Sequence, residues 1–531
     1  MDKMLGVMLD CSRNAVMKVE TVKSYADMLS QMGYNTLMLY TEDTYEVNNQ
    51  PYFGHMRGRY LKAELKEIDD YCFAKGITLI PCIQTLAHLN CMFKWGTVYE
   101  EIRDTEDILL IGEEGTYQLL EDIFATLSEC FRSRRIHIGM DEAYMVGMGK
   151  YMQKNGIQDR FEIINKHLHK VCEIAEKYGF QTMFWSDMFC KLAQNSENYY
   201  DSNVDKEAIL KRADLPENAE LVYWDYYSTD YQHYVDMIHA NQLFGKNVIF
   251  AGGAWTWKGM SPDNGYSIAA TKEAMKACRD CGIDEIFMTV WGDDGDECSK
   301  YAVAPALLYA AMSVDGEPDM QQLKERFYQI MGVSYDDWML LDQMLVPDSG
   351  KHAMDASKYL LYNDVFSGLL DYRCTLEDEA YYAALGEKLR DVSETGNYTY
   401  LFRKYQALCE VLSVKAALGL RTRKAYQSGD KETLKELAEV RFGQAIEKME
   451  AFHHVFQEEW FCENKPHGFD VQDVRLGGAI QRLKSCRQRL WDYLDGKTEQ
   501  IEELEEKQLT KDCGIGPWSR LFTANVVSHV L

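Results

Sequence analysis

Residues 61–81 read LKAELKEIDDYCFAKGITLIP: a helical stretch (Leu61–Lys75), a glycine (Gly76) and a short apolar run (Ile77–Pro81). A glycine directly after a helical stretch is a common helix end, because glycine adopts a left-handed φ without steric cost. A continuous apolar run is typical of a strand that is buried on both faces of a sheet. The stretch therefore predicts one helix–strand unit of a parallel α/β fold.

The same unit recurs through the first 315 residues. Further helical stretches occur at Val22–Met32, Tyr117–Phe131, Arg160–Tyr178 and Ser267–Cys281. The apolar runs number eight: Leu5–Leu9, Thr36–Tyr40, Ile77–Pro81, Ile136–Ile138, Thr182–Trp185, Leu221–Trp224, Val248–Ala251 and Ile286–Val290. Eight strand–helix units predict a (β/α)8 TIM barrel. The alternative is a doubly wound open sheet, which usually has fewer strands, and no G-x-G-x-x-G follows the first run.

From about residue 318 the strand-like runs nearly vanish, and longer helical stretches rich in Leu, Glu, Lys and Arg take over. They include Cys374–Leu389, Tyr400–Leu420 and Lys431–His454. We therefore predict a barrel at residues 1–317 and an α-helical C-terminal domain at residues 318–531. A less regular stretch, Trp460–Asp470, interrupts the helical domain and is a candidate to fold back over the rim of the barrel.

Composition excludes several classes of function. The net charge of −27 disfavours binding to nucleic acid or anionic lipid, which requires clustered positive charge. No apolar run approaches the roughly 20 residues that span a bilayer, and no secretory segment is recognised, so we expect a cytoplasmic protein without a membrane partner.

The 15 cysteines are scattered and expected to be reduced. The one CxxC, Cys278 and Cys281, lies at a helix end, and we expect neither metal nor cofactor.

Catalytic groups of such barrels lie at the carboxyl ends of the strands. Five of the ten tryptophans fall at these predicted ends, among acidic residues. Aromatic faces match the C–H faces of a pyranose, so the rim is interpreted as a small closed sugar pocket. The tryptophans are Trp185, Trp224, Trp255, Trp257 and Trp291.

Asp141 and Glu142 follow the fourth apolar run and a glycine. Two neighbouring carboxylates push their proton affinities apart, so that one can serve as an acid, as glycoside hydrolysis requires. An ordinary retaining enzyme holds its acid and its nucleophile about 5 Å apart, on opposite sides of the anomeric carbon. Two residues that are adjacent in sequence need not adopt this arrangement. The difficulty vanishes if the nucleophile is an acetamido group of the substrate.

The segment His137–Glu142, read as H-x-G-x-D-E, resembles the signature of glycoside hydrolase family 20, the β-N-acetylhexosaminidases. Asp10-x-x-Arg13 resembles the family's first-strand arginine, and His88, seven residues after Pro81, resembles a histidine of its third-strand loop. Trp185, Trp224 and Trp291 resemble its aromatic pocket. The resemblance covers residues 4 to 315, and the whole chain resembles a shorter, intracellular branch of the family that carries a helical C-terminal extension.

The resemblance implies roles for individual residues. Asp141 would orient the acetamido group of the substrate, and Glu142 would be the general acid and base. A tyrosine would assist at the acetamido oxygen, with Tyr226 as the candidate and Tyr227 as the alternative. The remaining substrate-binding candidates are Arg13 and Asp293 at the outer hydroxyls, His88, His137 as a histidine that steers the carboxylates, and the five tryptophans named above.

We therefore predict a retaining exo-β-N-acetylhexosaminidase that hydrolyses terminal GlcNAc or GalNAc through an oxazolinium intermediate. One alternative is an O-GlcNAcase-like acetamido-sugar hydrolase. The resemblance to those enzymes is weaker, because their motif is an Asp-Asp pair rather than Asp-Glu. The other alternative is a non-catalytic sugar-binding barrel. The sequence leaves open the choice between GlcNAc and GalNAc, the linkage, the aglycone, and whether the chain forms a homodimer.

Overall fold

The computed structural model describes residues 3–194, 199, 205–212, 214–348, 355–394 and 396–508. Its first part is a closed barrel of eight parallel strands in chain order. Because β1 pairs with both β2 and β8, the predicted barrel is confirmed and the open sheet is excluded. The strands are β1 (Leu5–Asp10), β2 (Thr36–Thr41), β3 (Thr78–Ile83), β4 (Arg135–His137), β5 (Gln181–Trp185), β6 (Ala219–Trp224), β7 (Val248–Gly253) and β8 (Ile286–Val290).

Helices cover the outside of the barrel. Three helices begin three residues earlier than predicted, because a polar first turn precedes the apolar periodicity. They are the helices predicted at Val22–Met32, Tyr117–Phe131 and Ser267–Cys281. The helices are α1 (Val19–Met32), α2 (Lys62–Ala74), α3 (Asn90–Phe93), α4 (Gly96–Tyr99), α5 (Glu114–Cys130), α6 (Lys150–Asn155), α7 (Arg160–Lys177), α8 (Asp187–Gln194), α9 (Lys206–Lys211), α10 (Tyr231–Gln242), α11 (Asn264–Cys281) and α12 (Ala304–Met312).

The barrel interior is a packed core of its own, separate from the larger core between the sheet and the helices. Alternate residues of the parallel strands point inward and fill it. At the amino-terminal end of the barrel, Arg135 forms ion pairs with Glu220 at 2.9 Å and with Glu285 at 2.7 Å. The opposite end is therefore the open one. The inward-facing side chains of the strands include Met8, Met38, Ile80, Cys82, Met183, Val222, Ile249 and Phe287.

The chain after the barrel is helical, as predicted. The expected helix Tyr400–Leu420 is two helices, because the chain breaks at Ala416–Ala417, where no glycine or proline signals a stop. The expected helix Lys431–His454 contains a π-helical turn at Leu437–Arg441. The helices are α13 (Met320–Met331), α14 (Tyr335–Trp338), α15 (Ala356–Tyr362), α16 (Asp378–Ser393), α17 (Thr399–Lys415), α18 (Leu418–Gln427), α19 (Lys431–Glu436), α20 (Phe442–Glu463), α21 (Phe469–Leu494) and α22 (Glu502–Glu505).

The stretch predicted to be irregular, Trp460–Asp470, is shorter than expected. Helix α20 continues to Glu463 and α21 begins at Phe469, so that only residues 464–468 lie between them. The end of the predicted C-terminal domain, residues 509–531, lies outside the described residues. Among the helices of the described residues, none is both long and apolar enough to cross a membrane.

Candidate active site

The carboxyl ends of five strands surround an open cavity of about 410 Å³. Acidic, basic and aromatic side chains alternate around its wall. The lining residues are Arg13, Asp141, Glu142, Trp185, Trp224, Tyr226, Tyr227, Trp291 and Asp293.

The turn after β4 holds the two neighbouring carboxylates in a strained backbone. Gly139, Met140 and Glu142 have φ values of 72°, 77° and 49°, all in the left-handed region. A Cβ at Gly139 would lie 2.1 Å from the amide oxygen of Gln84, so only glycine fits there. Left-handed non-glycine residues cost of order 1–3 kcal/mol each and persist only where their surroundings fix them. The strain is therefore a sign that the positions of these two side chains matter.

Asp141 is the deeper of the two carboxylates, with a side chain that is 10% exposed. Its Oδ1 accepts a hydrogen bond of 2.7 Å from Nε2 of Gln84, and its Oδ2 lies 3.1 Å from Nε2 of His88. Burial alone would raise the pKa of Asp141, but the charge and hydrogen bond of His88 and the hydrogen bond of Gln84 outweigh it and lower the pKa. Asp141 is thus an anion at neutral pH.

Glu142 lies nearer the mouth of the cavity, with a side chain that is 38% exposed. Its Oε1 accepts a hydrogen bond of 3.1 Å from the hydroxyl of Tyr144, and its Oε2 lies 3.5 Å from Nε2 of His88. The adjacent carboxylates therefore have different environments: Asp141 is enclosed and paired, and Glu142 is reached by solvent.

His88 links the two carboxylates. It has a left-handed φ of 58°, and Asp141 raises its pKa to about 9 against the opposing effect of burial, so it is a cation at neutral pH. In the part of the chain that the structure describes, His88, Asp141 and Glu142 are the one group whose metal-ligand atoms lie within 4.8 Å of one another. As a cation between two carboxylates, His88 offsets part of their negative charge.

Asp187 fixes the backbone of Glu142, and the sequence did not single it out. It follows Trp185 and Ser186 at the end of β5, and its Oδ2 accepts a 3.0 Å hydrogen bond from the backbone N–H of Glu142. Burial, reinforced by the nearby Asp141, raises the pKa of Asp187. Its position at a strand end was the available signal, but nothing in the sequence indicates that its partner is a backbone group.

Arg13 forms the opposite side of the cavity. Its Nη1 lies 2.9 Å from Oε1 of Glu42, and its Nε lies 3.1 Å from Oδ1 of Asp293. Burial raises the pKa of Asp293 to about 6, although Arg13 opposes the shift. The predicted pair of Arg13 and Asp293 is therefore brought together, and Glu42 of the β2 end joins it. An arginine flanked by two carboxylates presents fixed donors and acceptors to a polar ligand.

Aromatic rings form the rest of the wall. Trp224 stacks on Tyr226 with ring centroids 5.2 Å apart, and Trp185 lies 6.2 Å from Trp291. Tyr226 is buried, whereas Tyr227 is half exposed beside it. Both tyrosines line the cavity, so the choice between them at the acetamido group stays open.

Three predicted residues lie behind this wall. Trp255 and Trp257 stack on one another at 4.7 Å, and the indole N–H of Trp255 donates to the carbonyl of Tyr226 at 3.0 Å. His137 lies under Trp185, with ring centroids 4.3 Å apart, and accepts the backbone N–H of Gly139. Burial lowers the pKa of His137 to about 3, so it is neutral. These three support the wall and the β4 turn, and their contact with a ligand stays a prediction.

Sequence comparisons agree with this geometry. The family model described as "Glycosyl hydrolase family 20, catalytic domain" matches residues 4–243, and "Glycoside Hydrolase 20C C-terminal domain" matches residues 336–514. The chain is 22% identical to hexosaminidase D of Bos taurus over 258 residues, which is 46% of this chain and 68% of the bovine protein. It is 22% identical to hexosaminidase D of Homo sapiens over 228 residues, which is 40% of this chain and 43% of the human protein.

A comparison of structures finds similar chains as well. The β-N-acetylhexosaminidase from Bacteroides fragilis has 19% sequence identity and a TM-score of 0.45, and the match covers 62% of this chain and 71% of that one. The sequence matches and the carboxylate pair at the end of a barrel strand define the protein as a glycoside hydrolase. The chain belongs to glycoside hydrolase family 20, and within that family it is an enzyme of the β-hexosaminidase class.

Proposed function

We propose that the protein is a retaining exo-β-N-acetylhexosaminidase that removes terminal, non-reducing, β-linked GlcNAc or GalNAc by substrate-assisted catalysis. The observation that carries this proposal is that Asp141 Oδ2 and Glu142 Oε2 both lie beside one nitrogen of His88, at 3.1 and 3.5 Å. We take two carboxylates that share one imidazole and one turn to lie on the same side of the anomeric carbon, where Asp141 is poorly placed as a nucleophile opposite an acid Glu142. A nucleophile supplied by the substrate removes the conflict.

In the first step, the acetamido oxygen of the sugar bonds to the anomeric carbon while the glycosidic C–O bond breaks. Glu142 gives its proton to the leaving oxygen. The product is a cyclic oxazolinium, whose N–H donates to the anionic Asp141 and whose positive charge that carboxylate offsets. His88 and Gln84 keep Asp141 ionised and oriented for this task.

In the second step, Glu142 as a carboxylate takes a proton from water, and the water oxygen bonds to the anomeric carbon. The oxazolinium ring opens, the acetamido group is restored, and the sugar leaves with the same anomeric configuration that it had. One sugar ring is proposed to bind in the cavity between the aromatic wall and the Arg13–Asp293 pair, with these two residues at its outer hydroxyls. A site that takes the terminal ring in this way acts in the exo mode.

The activity test compares p-nitrophenyl β-glycosides of GlcNAc and GalNAc with those of glucose and galactose. We expect p-nitrophenol only from the two acetamido sugars, and their ratio of kcat/KM measures the sugar preference. Equal release from the glucoside would mean that the protein supplies the nucleophile. Binding of GlcNAc without any release would mean that the protein is a sugar-binding barrel.

The pH dependence of this reaction follows from Asp293. Because its pKa is raised to about 6, its carboxyl is ionised above that pH and neutral below it, and only the ionised form pairs with Arg13. We expect kcat/KM to fall by about tenfold between pH 7 and pH 5 for this reason. The Asp293→Asn variant should be less active and should lack this acid limb. An unchanged acid limb in that variant would assign the titration to another group.

Tyr144 is expected to assist the acid. Its hydroxyl donates to Oε1 of Glu142, so it stabilises the carboxylate that forms when Glu142 gives up its proton. We expect Tyr144→Phe to lower kcat roughly tenfold for a GlcNAc disaccharide and much less for an activated p-nitrophenyl glycoside.

A matched control for this variant is Tyr178→Phe. The hydroxyl of Tyr178 also donates to a glutamate, Glu121, at 2.7 Å, but it follows α7 and does not line the cavity. This control should keep full activity on both substrates. Equal losses on both substrates in Tyr144→Phe would contradict a role in assisting the acid.

The division between residues 1–317 and 318–531 stays a proposal. Its support is that α12, the last helix of the barrel, ends at Met312 and that α13 begins at Met320. The C-terminal family model begins later, at residue 336.

A further inference from the structure

The loop after β8, residues 292–297, is strained at three successive positions. Asp294, Gly295 and Asp296 have φ values of 59°, 114° and 55°, and two of these residues carry a Cβ. Such a conformation persists only where the surroundings hold it. The loop also carries Asp293, the partner of Arg13 in the cavity.

The helical domain holds this loop through buried side chains of α21. Nη1 of Arg475 donates to the carbonyl of Asp294 at 2.5 Å and to Oε1 of Glu297 at 2.9 Å. Nε2 of Gln472 donates to the carbonyl of Gly295 at 2.7 Å. Both side chains are almost fully buried. The carbonyls of Asp294 and Gly295 are therefore bound by α21, and Nζ of Lys358 in α15 also donates to the Asp294 carbonyl, at 3.4 Å.

On its cavity side the same loop is attached to the β1 end. The backbone N–H of Gly292 donates to Oδ2 of Asp10 at 2.9 Å, and Asp293 forms the 3.1 Å ion pair with Arg13. A displacement of Asp294 and Gly295 would thus move Asp293 relative to Arg13.

The helical domain also contacts the loop that carries Arg13. The backbone N–H of Lys465 donates to the carbonyl of Val16 at 2.8 Å, and that of Lys18 donates to the carbonyl of Glu463 at 3.0 Å. The short segment 464–468 therefore lies along the β1 loop. The loops that carry Arg13 and Asp293 therefore both contact the C-terminal domain.

We propose that Arg475 and Gln472 are positioning residues that hold Asp293 against Arg13, so that the helical domain completes the part of the cavity that binds the outer hydroxyls of the sugar. This inference rests on the proposed function. It assigns the helical domain a role in sugar binding, whereas the carboxylates that carry out the chemistry belong to the β4 turn.

The test uses the full chain with Gln472→Met, which keeps the side-chain volume and removes one hydrogen bond, and with Arg475→Lys. The matched control is Arg482→Met on the same helix, because Arg482 binds Asp364 within the helical domain instead. For p-nitrophenyl β-GlcNAc we expect both test variants to raise KM several-fold with little change in kcat. The control should lower the thermal midpoint and leave KM unchanged.

Each variant is then combined with Asp293→Asn. If Gln472 and Arg475 act through Asp293, neither should raise KM further once that carboxylate has been replaced. Additive effects, or a KM that does not change in folded Gln472→Met, would overturn the inference while leaving the proposed function intact. A wild-type protein without activity on this substrate would instead refute the proposed function. Binding of GlcNAc by calorimetry would then test the positioning role, with weaker binding expected in both variants.

Discussion

Asp141→Asn is expected to lower kcat/KM by roughly 10²–10³-fold on every acetamido substrate, however good its leaving group. The variant keeps the size of the side chain, but it removes the negative charge that faces the oxazolinium N–H. Cyclisation precedes departure of any leaving group, so an activated aglycone cannot bypass the loss. The measurement is kcat/KM for a series of aryl β-GlcNAc substrates whose phenols differ in acidity.

The control for this variant is Asp280→Asn. Asp280 accepts a hydrogen bond from Tyr231 on the outside of the barrel and does not line the cavity, so its replacement should leave activity unchanged. Near-wild-type rates in Asp141→Asn, or a loss confined to poor leaving groups, would contradict the role assigned to Asp141.

Glu142→Gln is expected to show the opposite dependence on the leaving group. Without a proton donor, hydrolysis of a GlcNAc disaccharide should slow by roughly 10²–10⁴-fold, the usual contribution of a general acid. A 2,4-dinitrophenyl glycoside needs no proton to leave, so its first step should proceed. The second step should then be slow, because no base remains to take the proton from water.

Added azide offers a direct check on that second step. Azide needs no deprotonation, and it should restore turnover of the 2,4-dinitrophenyl substrate in Glu142→Gln and give the β-glycosyl azide. Formation of the α-azide would mean that the oxazolinium is not the species attacked. A loss of activity that is equal for all leaving groups would contradict the assignment of Glu142 as the acid.

The barrel was predictable because its signals are local. Most strands contain a continuous apolar run, with β4 (Arg135–His137) as the exception, and helices such as α1 end at a glycine, Gly33, with a left-handed φ of 100°. The helix starts were less predictable, since a polar first turn adds no apolar periodicity. The break at Ala416–Ala417 was not predictable, because alanine favours helix and tertiary packing decides where the chain turns.

The site was predictable where a side chain stands at a strand end and faces the cavity, as Asp141, Glu142 and Asp293 do. The supporting residues were not found in this way. Asp187 accepts a hydrogen bond from the backbone N–H of Glu142. Gln84 donates to Asp141 and accepts from the backbone N–H of Met140. Such roles depend on the geometry of the turn, and two of its left-handed φ values belong to Met140 and Glu142, residue types that do not signal this conformation in a sequence.

The central claim is that the acetamido group of the substrate is the nucleophile. Its most direct test is the rate of hydrolysis of p-nitrophenyl β-glucosaminides that carry acetyl, fluoroacetyl, difluoroacetyl or trifluoroacetyl on nitrogen. Each fluorine withdraws electrons from the carbonyl oxygen and makes it a weaker nucleophile. We predict that kcat/KM falls steeply with each added fluorine. A rate that does not change with fluorine content would contradict the account, because the nucleophile would then belong to the protein.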